Sequence, residues 1–252
     1  MNYLIGQTNL RNKLKAYTLK NFPKSNLIIG LEGCGKHLLL KELSDYYKTD
    51  LIEITSDYNI EDIELSVRYA FYFIDLSNIE LETQNKLLKL IEEPPKYSIF
   101  FILSTNINNV ISTIKNRCIE YNFDSYSLEE LKSIRELRDI NNYKYCTTPG
   151  QLLKLNESQI EEIKKLSNII IDKIEYSHTA NILKLSHSFN FKNEDNKIDI
   201  RLFFNILLKD YQEYKLLKLT NHYLYLLDSK LLNKEDCITG FLLDLYDIKR
   251  GE

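Results

Sequence analysis

Tryptophan is absent from the 252-residue sequence, and glycine and proline occur only 7 and 4 times. Lysine, asparagine, isoleucine and tyrosine are abundant. This composition indicates an AT-rich coding sequence and carries no information about the protein's mechanism. Hydrophobic residues make up 44% of the chain and charged residues 27%, which excludes the disordered and fibrous classes. The length suffices for a sizeable core and for more than one domain.

A strong excess of either charge is also lacking, because the formal net charge is only −3. Any contact with nucleic acid must therefore be local or shared with partner subunits. Tyrosine rings can stack on the bases of single-stranded nucleic acid. The 18 tyrosines, however, are scattered along the predicted helices and do not lie beside a stripe of basic residues. We expect them to pack in the core and in interfaces.

Cysteine pairs and long apolar runs are missing as well. The four cysteines are far apart and form no C-x-x-C or zinc-ligand spacing: Cys34, Cys118, Cys146 and Cys237. His178, His187 and His222 also lie at no ligand spacing, so no metal site is expected. No run of about 18 apolar residues exists, and the first residues lack a charged region followed by an apolar block. We expect reduced thiols and a cytoplasmic protein that is neither secreted nor membrane-spanning.

A glycine-rich turn joins an apolar run to a helical run near the N-terminus. Gly30, Gly33 and Gly35 allow the positive φ angles and close backbone approach that a phosphate needs. Lys36 follows at the spacing of G-x-x-x-x-G-K-[ST], but His37 stands where a serine or threonine should hold Mg²⁺, and imidazole is a poor ligand for that ion. The turn therefore indicates phosphate binding without hydrolysis, or a strand-to-helix connection without a ligand.

Buried-strand patterns alternate with helical patterns up to about residue 123, which predicts an α/β fold with a parallel sheet. Leu10, Leu14 and Tyr17 share one face of a first helix that ends before Pro23. The predicted helices are residues 8–20, 37–47, 57–70 and 83–93, and the predicted strands are residues 27–29, 50–55, 71–75 and 98–105.

Polar residues end two of the buried strands. Asp75 closes one strand about forty residues after the turn, where a P-loop protein keeps the carboxylate that orients Mg²⁺-bound water. The next residue is Leu76, whereas hydrolysis normally needs a second acid there to align the attacking water. Asn106 follows Ser104 and Thr105 at the end of another strand, near the expected γ-phosphate position.

From Ser127 onward only helical periodicity is evident. Tyr126 and Ser127 mark a boundary with a natural helix N-cap. The segment 200–211 is too apolar for a solvated helix, so we expect it to pack in a bundle, internally or against neighbouring subunits. Earlier predicted helices in this part are residues 128–134, 149–155 and 159–176.

Four short motifs, in this order, carry a family resemblance. They are Gly6-Gln7, the Asn85–Pro95 helix N-K-L-L-K-L-I-E-E-P-P, Asn116-Arg117-Cys118 and Thr147–Leu152. With them the sequence resembles the clamp-loader branch of the AAA+ proteins over most of its length, most closely the delta-prime type of subunit in a compact bacterial or phage version. The resemblance implies an AAA+ P-loop domain at residues 1–123, a small helical lid at residues 124–170 and an all-α collar at residues 171–252.

The arginine of the third motif reaches, in that family, into the ATP site of the neighbouring subunit and stabilises charge on the γ-phosphoryl group. The resemblance assigns this arginine-finger role to Arg117, with Asn116 in place of the family's serine. By spacing alone Arg117 could equally be a surface salt-bridge partner. Three departures agree that the chain's own ATP site is degraded: His37, Leu76, and Gly150 where catalytic relatives carry a nucleotide-sensing arginine.

The resemblance thus implies a non-hydrolysing stator in DNA replication. Such a subunit assembles with clamp-loader ATPase subunits and a delta-type subunit, and acts through them on the sliding clamp and primed DNA. It requires no cofactor, although residual ATP or ADP binding stays open because Lys36 and the loop amides could suffice. The alternative is an active AAA+ ATPase in which Lys36 binds phosphate and Asp75 holds Mg²⁺ through water. A nucleotide kinase would need an arginine-rich lid, which is not identifiable.

Overall fold

The computed structural model describes residues 4–55, 61–76, 88–136, 143–154, 157–176, 181, 184–186, 189, 198–229 and 231–251. The strands in these ranges are β1 (Ser25–Ile29), β2 (Asp50–Glu53), β3 (Ala70–Asp75), β4 (Ser98–Ser104) and β5 (Ile119–Asn122). The main helices are α1 (Thr8–Lys15), α2 (Lys36–Tyr47), α3 (Glu61–Glu64), α4 (88–92), α5 (Ser112–Lys115), α6 (Leu128–Glu136), α7 (Pro149–Lys154), α8 (Glu157–Lys173), α9 (Ile200–Asp210), α10 (Tyr214–Asp228) and α11 (Lys234–Arg250). Single 3-10 turns cover Ile107–Asn109, Tyr143–Tyr145 and Ile174–Tyr176.

The described strands form one parallel sheet in the order β2-β3-β4-β1-β5. Alternate side chains of β3 enter opposite faces, as strand geometry requires. Phe71 and Phe73 join an apolar cluster that α1 and α2 complete, whereas Tyr72 and Ile74 join a second cluster with α4 and α5. Because helices cover both faces, β4 is buried along its whole length. The predicted α/β architecture is confirmed.

The register of the strands positions the candidate site. Asp75 at the end of β3 pairs with Leu103 in β4, and Ile29 at the end of β1 pairs with Ser104. The carboxyl ends of β3, β4 and β1 therefore meet at one edge of the sheet, where the glycine turn begins. The amino ends of the same strands lie at the opposite edge.

The C-terminal helices bury a core of their own. In α9, Phe203 and Phe204 are fully buried and contact Phe241 of α11, with ring centroids 5.9 and 5.1 Å apart. The side chain of Asp199 caps α9 by accepting a 2.9 Å hydrogen bond from the Arg201 N–H. The expectation that this apolar segment packs in a bundle is confirmed.

Contacts divide the chain into two compact units. The sheet unit comprises Met1–Glu130 with Thr148–Gly150, and the helical unit comprises Leu131–Thr147 with Gln151–Glu252. The division into P-loop domain, lid and collar stays a prediction. Among the helices of the described ranges, none has the length and apolar character needed to cross a membrane.

The first helix is shorter than predicted. The hydroxyl of Tyr47 donates hydrogen bonds to the carbonyls of Leu14 at 2.9 Å and Tyr17 at 2.8 Å. The Thr18 N–H, which would bind the Leu14 carbonyl in a longer helix, donates instead to the Asn21 side chain at 2.6 Å. The Leu14 carbonyl thus accepts a tertiary hydrogen bond from Tyr47 instead of the helical hydrogen bond from Thr18 that would extend α1.

The prediction of a helix over residues 57–70 is wrong in its second half. Of the described residues in this range, 61–70, only Glu61–Glu64 are helical, and Ala70 already belongs to β3, where its N–H donates to the Tyr97 carbonyl at 3.0 Å. Pairing with the sheet overrides the helical pattern of the sequence here. Residues 56–60 lie outside the described residues, as do residues 83–87 of the other predicted acidic helix; its residues 88–92 are helical.

Candidate functional site

The glycine turn between β1 and α2 has the backbone form predicted for two of its glycines. Gly33 and Gly35 have φ angles of 76° and 102°, in the left-handed region that favours glycine. Gly30 lacks a positive φ; it needs to be glycine because a Cβ there would lie 2.7 Å from the sulfur of Cys34. The Gly30 N–H donates to the Ser104 carbonyl at 3.0 Å, which ties the turn to β4.

Lys36, the basic residue of the motif, is turned back onto its own loop. The residue is 6% exposed. Its Nζ donates hydrogen bonds to the carbonyls of Gly30 at 2.6 Å and Leu31 at 3.2 Å. Two of the three ammonium donors are thus used inside the loop. A phosphate would have to compete with these carbonyls for the ammonium group.

A distant segment, Thr148–Gly150, lies directly against the same loop. The hydroxyl of Thr148 donates to the Glu32 carbonyl at 3.0 Å, and the Gly150 N–H donates to the Gly33 carbonyl at 2.8 Å. A Cβ on Gly150 would lie 2.5 Å from the Cα of Gly33, so only glycine fits at this position. The arginine that the family resemblance leads one to seek at Gly150 is therefore excluded by the packing.

Tyr126 holds the loop from another side. Its hydroxyl donates to the Cys34 carbonyl at 2.5 Å. Burial raises the pKa of Tyr126, and the nearby Cys34 raises it further, so the phenol stays protonated and keeps donating at neutral pH. Burial also raises the pKa of the Cys34 thiol, which packs inside the turn as a small neutral group.

His37 faces the carboxylate that ends β3. Its Nε2 lies 3.8 Å from Oδ2 of Asp75, and its ring packs edge-on to Phe73 with centroids 5.3 Å apart. The His37 side chain is 56% exposed and that of Asp75 14%. Where a P-loop protein would place a hydroxyl and a carboxylate around Mg²⁺, this chain brings together an imidazole and a carboxylate.

The two remaining residues predicted beside the γ-phosphate have structural contacts. Leu76 is 7% exposed and packs in the apolar cluster of α4 and α5, so it is a core residue. The side-chain oxygen of Asn106 accepts a 2.9 Å hydrogen bond from the Asn108 N–H and caps the following 3-10 turn. Asn106 thus lies at the predicted edge of the sheet, where it shapes the turn after β4.

The N-terminal motif Gly6-Gln7 is held by hydrogen bonds within the sheet unit. The Gln7 amide donates to the Asp124 carbonyl at 2.8 Å and accepts from the Asp124 N–H at 2.9 Å. Gly6 has a φ of 65°, and a Cβ there would lie 2.1 Å from the carboxylate of Glu130. Gly6 thus lies directly against a carboxylate of the same unit.

Arg117 is held in an accessible position just after α5. Its Nη2 lies 2.6 Å from Oε1 of Glu92, and its Nη1 donates to the Thr113 carbonyl at 2.9 Å. The side chain remains 38% exposed. Next to it, burial raises the pKa of the Cys118 thiol to about 12, so that thiol is an inert packing group. Two motifs quoted from the sequence, one with Glu92 and one with Arg117, therefore meet in space.

Sequence reasoning missed three residues that contact the loop or Arg117. Glu92, Tyr126 and Thr148 each contact a motif residue or the loop, but each is far from its partner along the chain. Glu92 and Thr148 carried a signal, since each belongs to one of the four motifs, whereas Tyr126 was named only as a boundary. Spacing cannot reveal any of the three contacts.

The parallel sheet, the glycine turn at its carboxyl edge and the helical C-terminal region are the elements of an AAA+-type P-loop fold. The fold is similar to that of the Thermotoga maritima RuvB Holliday junction branch migration motor, with a TM-score of 0.53, 16% identity, and coverage of 100% of this chain and 91% of that chain. A likeness at this identity shows the fold alone. It confirms the predicted AAA+ fold class.

Sequence comparison is more specific. Residues 48–127 match the family model described as DNA polymerase III, delta subunit. DNA polymerase III subunit delta' of Buchnera aphidicola subsp. Schizaphis graminum is 26% identical over 219 residues, covering 79% of this chain and 65% of that protein. The delta' subunit of subsp. Acyrthosiphon pisum is 26% identical over 197 residues, covering 68% and 59%. The tau subunit of Bacillus subtilis is 30% identical over 105 residues, covering 36% and 19%.

These matches support a clamp-loader family member, which is the family that the four motifs predicted. They support a subunit of the delta' kind more broadly than one of the tau kind, because the delta' similarity covers far more of the chain. The chain spans less than two thirds of the length of these curated relatives.

Proposed function

We propose that the chain is a clamp-loader subunit that does not hydrolyse ATP itself and serves as a stator in DNA replication. The observation that carries this proposal is the closure of the phosphate loop by the chain's own groups. Lys36 binds carbonyls of the loop, and Thr148–Gly150 occupies the space against Gly33. A nucleotide would need both the ammonium group and that space.

The residues around the expected metal position support the same conclusion. A Mg²⁺ ion prefers oxygen ligands in octahedral geometry, and His37 offers an imidazole nitrogen beside Asp75. The buried isobutyl group of Leu76 cannot orient an attacking water. The residues present therefore do not fit a hydrolytic Mg²⁺–ATP site.

Arg117 is suited to act on a neighbour's nucleotide. A finger must keep a guanidinium group accessible while limiting its orientations, because ordering a free side chain opposes binding. Contacts with Glu92 and Thr113 restrict Arg117, and its remaining exposure leaves donors for a phosphate. We infer that Arg117 stabilises charge at the γ-phosphoryl group of an adjacent ATPase subunit, a role worth about 10³- to 10⁵-fold in turnover in other systems.

The proposed assembly follows from the family. ATPase subunits and a delta-type subunit would be direct partners, and the sliding clamp and primed DNA would be engaged through the complex in the cytoplasm. The helical residues 171–252 would serve as the collar, with residues 124–170 as the lid. Head-to-tail contacts of this kind generate an open arc or ring.

The test is ATP turnover by the purified chain alone and after assembly with its replication ATPase partner. We expect no turnover by the chain alone and at least about a 10³-fold loss of the partner's DNA-stimulated turnover in Arg117→Ala. Lys36→Ala should leave the partner's turnover unchanged. Arg68→Ala is the matched control, because Arg68 also forms an exposed ion pair, with Asp50 at 2.7 Å.

Two outcomes would contradict the proposal. Partner turnover that is the same in Arg117→Ala and Arg68→Ala would overturn the finger. Turnover by the chain alone that disappears in Lys36→Ala would establish the second candidate, an active AAA+ ATPase. The specific support for that candidate is the left-handed backbone of Gly33 and Gly35, the form that a phosphate-binding turn takes.

A further inference from the structure

A groove lies at the amino edge of the sheet, opposite the phosphate loop. It has a volume of about 670 Å³ and is lined by Tyr17, Thr18, Leu19, Lys20, Tyr46, Tyr47 and Tyr69. These residues come from three segments: the one after α1, the end of α2 and the residue before β3. Tyrosines that are scattered along the sequence are therefore gathered on one surface.

The aromatic wall combines fixed rings with an accessible one. Tyr46 is 56% exposed, and its ring meets that of Tyr47 edge-on with centroids 4.9 Å apart. Tyr47 is fixed, because its hydroxyl binds two backbone carbonyls. Tyr69 packs edge-on against Tyr97 with centroids 5.4 Å apart. The groove thus combines two rings that contact neighbouring groups, Tyr47 and Tyr69, with the accessible ring of Tyr46.

Lysines accompany these rings, contrary to the expectation from the sequence. Lys20 lines the groove, the Nζ of Lys15 lies 5.2 Å from the centre of the Tyr46 ring, and the Nζ of Lys24 lies 5.2 Å from that of Tyr69. Such cation–π contacts keep positive charge next to the aromatic faces.

The local charge is positive even though the chain as a whole is acidic. Glu42 pairs with both Arg11 and Lys15, so that cluster keeps one net positive charge. The Nζ of Lys24 donates to two backbone carbonyls, which are neutral partners, although burial lowers the pKa of this lysine. Asp45 is exposed on the same end of α2, but the described residues that line the groove include no acidic one.

We propose that this groove binds single-stranded nucleic acid, with a base stacked on Tyr46 and backbone phosphates held by Lys20 and the adjacent lysines. Aromatic faces beside cations bind single strands with little sequence preference, because every base has a π face. An acidic peptide would meet the same lysines but only one aliphatic side chain, Leu19, so the lining favours nucleic acid. The proposal is independent of Arg117 and of the phosphate loop.

The test uses the full chain and a fluorescent oligothymidylate of about 16 nucleotides, followed by anisotropy across a salt series. Tyr46→Ala should weaken binding about tenfold, whereas Tyr46→Phe, which keeps the ring, should retain it. Lys20→Ala should reduce the salt slope of log K by about 0.7. Tyr225→Ala is the matched control, since Tyr225 of α10 is 59% exposed and outside the groove.

Three results would overturn the proposal. The first is no binding by the wild-type chain, and the second is equal weakening by Tyr46→Ala and Tyr225→Ala. The third is equal competition by a control polymer. We expect an abasic strand of the same length to compete about tenfold less well than the oligothymidylate, and we expect polyglutamate not to compete. Equal competition by the abasic strand would mean that negative charge alone is recognised, and equal competition by polyglutamate would point to an acidic peptide.

Discussion

The two edges of the one sheet use their polar groups in opposite ways. At the carboxyl edge, Lys36 and the loop carbonyls bind one another and the Thr148–Gly150 segment. At the amino edge, Lys20 and Tyr46 remain exposed in an open groove. The polar groups of a recognisable ligand-binding motif can thus find hydrogen-bond partners in their own chain. Residues that belong to no motif can, by contrast, form an accessible surface. Since buried polar groups need partners, these hydrogen bonds hold the glycine turn in place.

Gly150→Ala should have the largest effect, because it opens the closed edge. The added Cβ would lie 2.5 Å from the Cα of Gly33, and backbone cannot move away as a flexible side chain would. We expect a loss of about 2 kcal/mol in the free energy of unfolding, measured by urea denaturation. The control is Gly251→Ala, where φ is 80° but no atom lies within 4 Å; it should cost only about 1 kcal/mol. A smaller loss for Gly150→Ala than for Gly251→Ala would refute the tight contact.

Tyr126→Phe should have the next largest effect. It removes the hydrogen bond to the Cys34 carbonyl and should cost about 1 kcal/mol of unfolding free energy at pH 7. Because the folded state raises the pKa of Tyr126, its contribution is complete below the ordinary phenol pKa of about 10 and is lost as pH rises above that value. Urea unfolding between neutral pH and about pH 11 should therefore show a shallower decline for Tyr126→Phe than for the wild type. Parallel declines would contradict this role.

Glu92→Gln tests whether the ion pair with Glu92 positions Arg117, which lies at the amino edge of the sheet, just before β5. Loss of the 2.6 Å pair should reorient the guanidinium group and reduce the partner's DNA-stimulated ATP turnover about threefold, with little change in stability. Glu93→Gln is the matched control, since Glu93 is the exposed neighbour in the same motif. Equal turnover by the two variants would show that Glu92 does not position Arg117.

Tyr46→Ala should have the smallest effect on stability. Its side chain is half exposed, so truncation should change the free energy of unfolding by less than about 0.5 kcal/mol in urea denaturation. A loss above about 1 kcal/mol would mean that Tyr46 packs as part of the core. The amino edge would then not be an open surface that contrasts with the carboxyl edge.

Much of the sheet unit was predictable because its signals are local. Strands buried on both faces read as continuous apolar runs, and positive φ angles at Gly33 and Gly35 demand glycine. The errors occur where a distant group competes with local preference. Tyr47 takes a carbonyl that would have extended α1, and pairing with the sheet draws Ala70 into β3.

The sequence predicted which residues belong to the candidate site better than it predicted the contacts between them. Asp75, His37 and the glycine turn lie at one edge because parallel strands must end together. The sequence could not reveal that Arg117 meets Glu92, or that Gly150 packs on Gly33, because neither contact has a fixed spacing.

By itself the sequence determined the order of strands and helices, the glycine turn and the family motifs, since these depend on hydrogen bonding and periodicity within a few residues. Only the tertiary structure decided that the glycine turn is hydrogen-bonded by distant groups of its own chain and that scattered tyrosines and lysines share a groove. The physical reason is that burial and pairing of polar groups are settled between segments far apart in sequence, where packing rather than local propensity selects the partners.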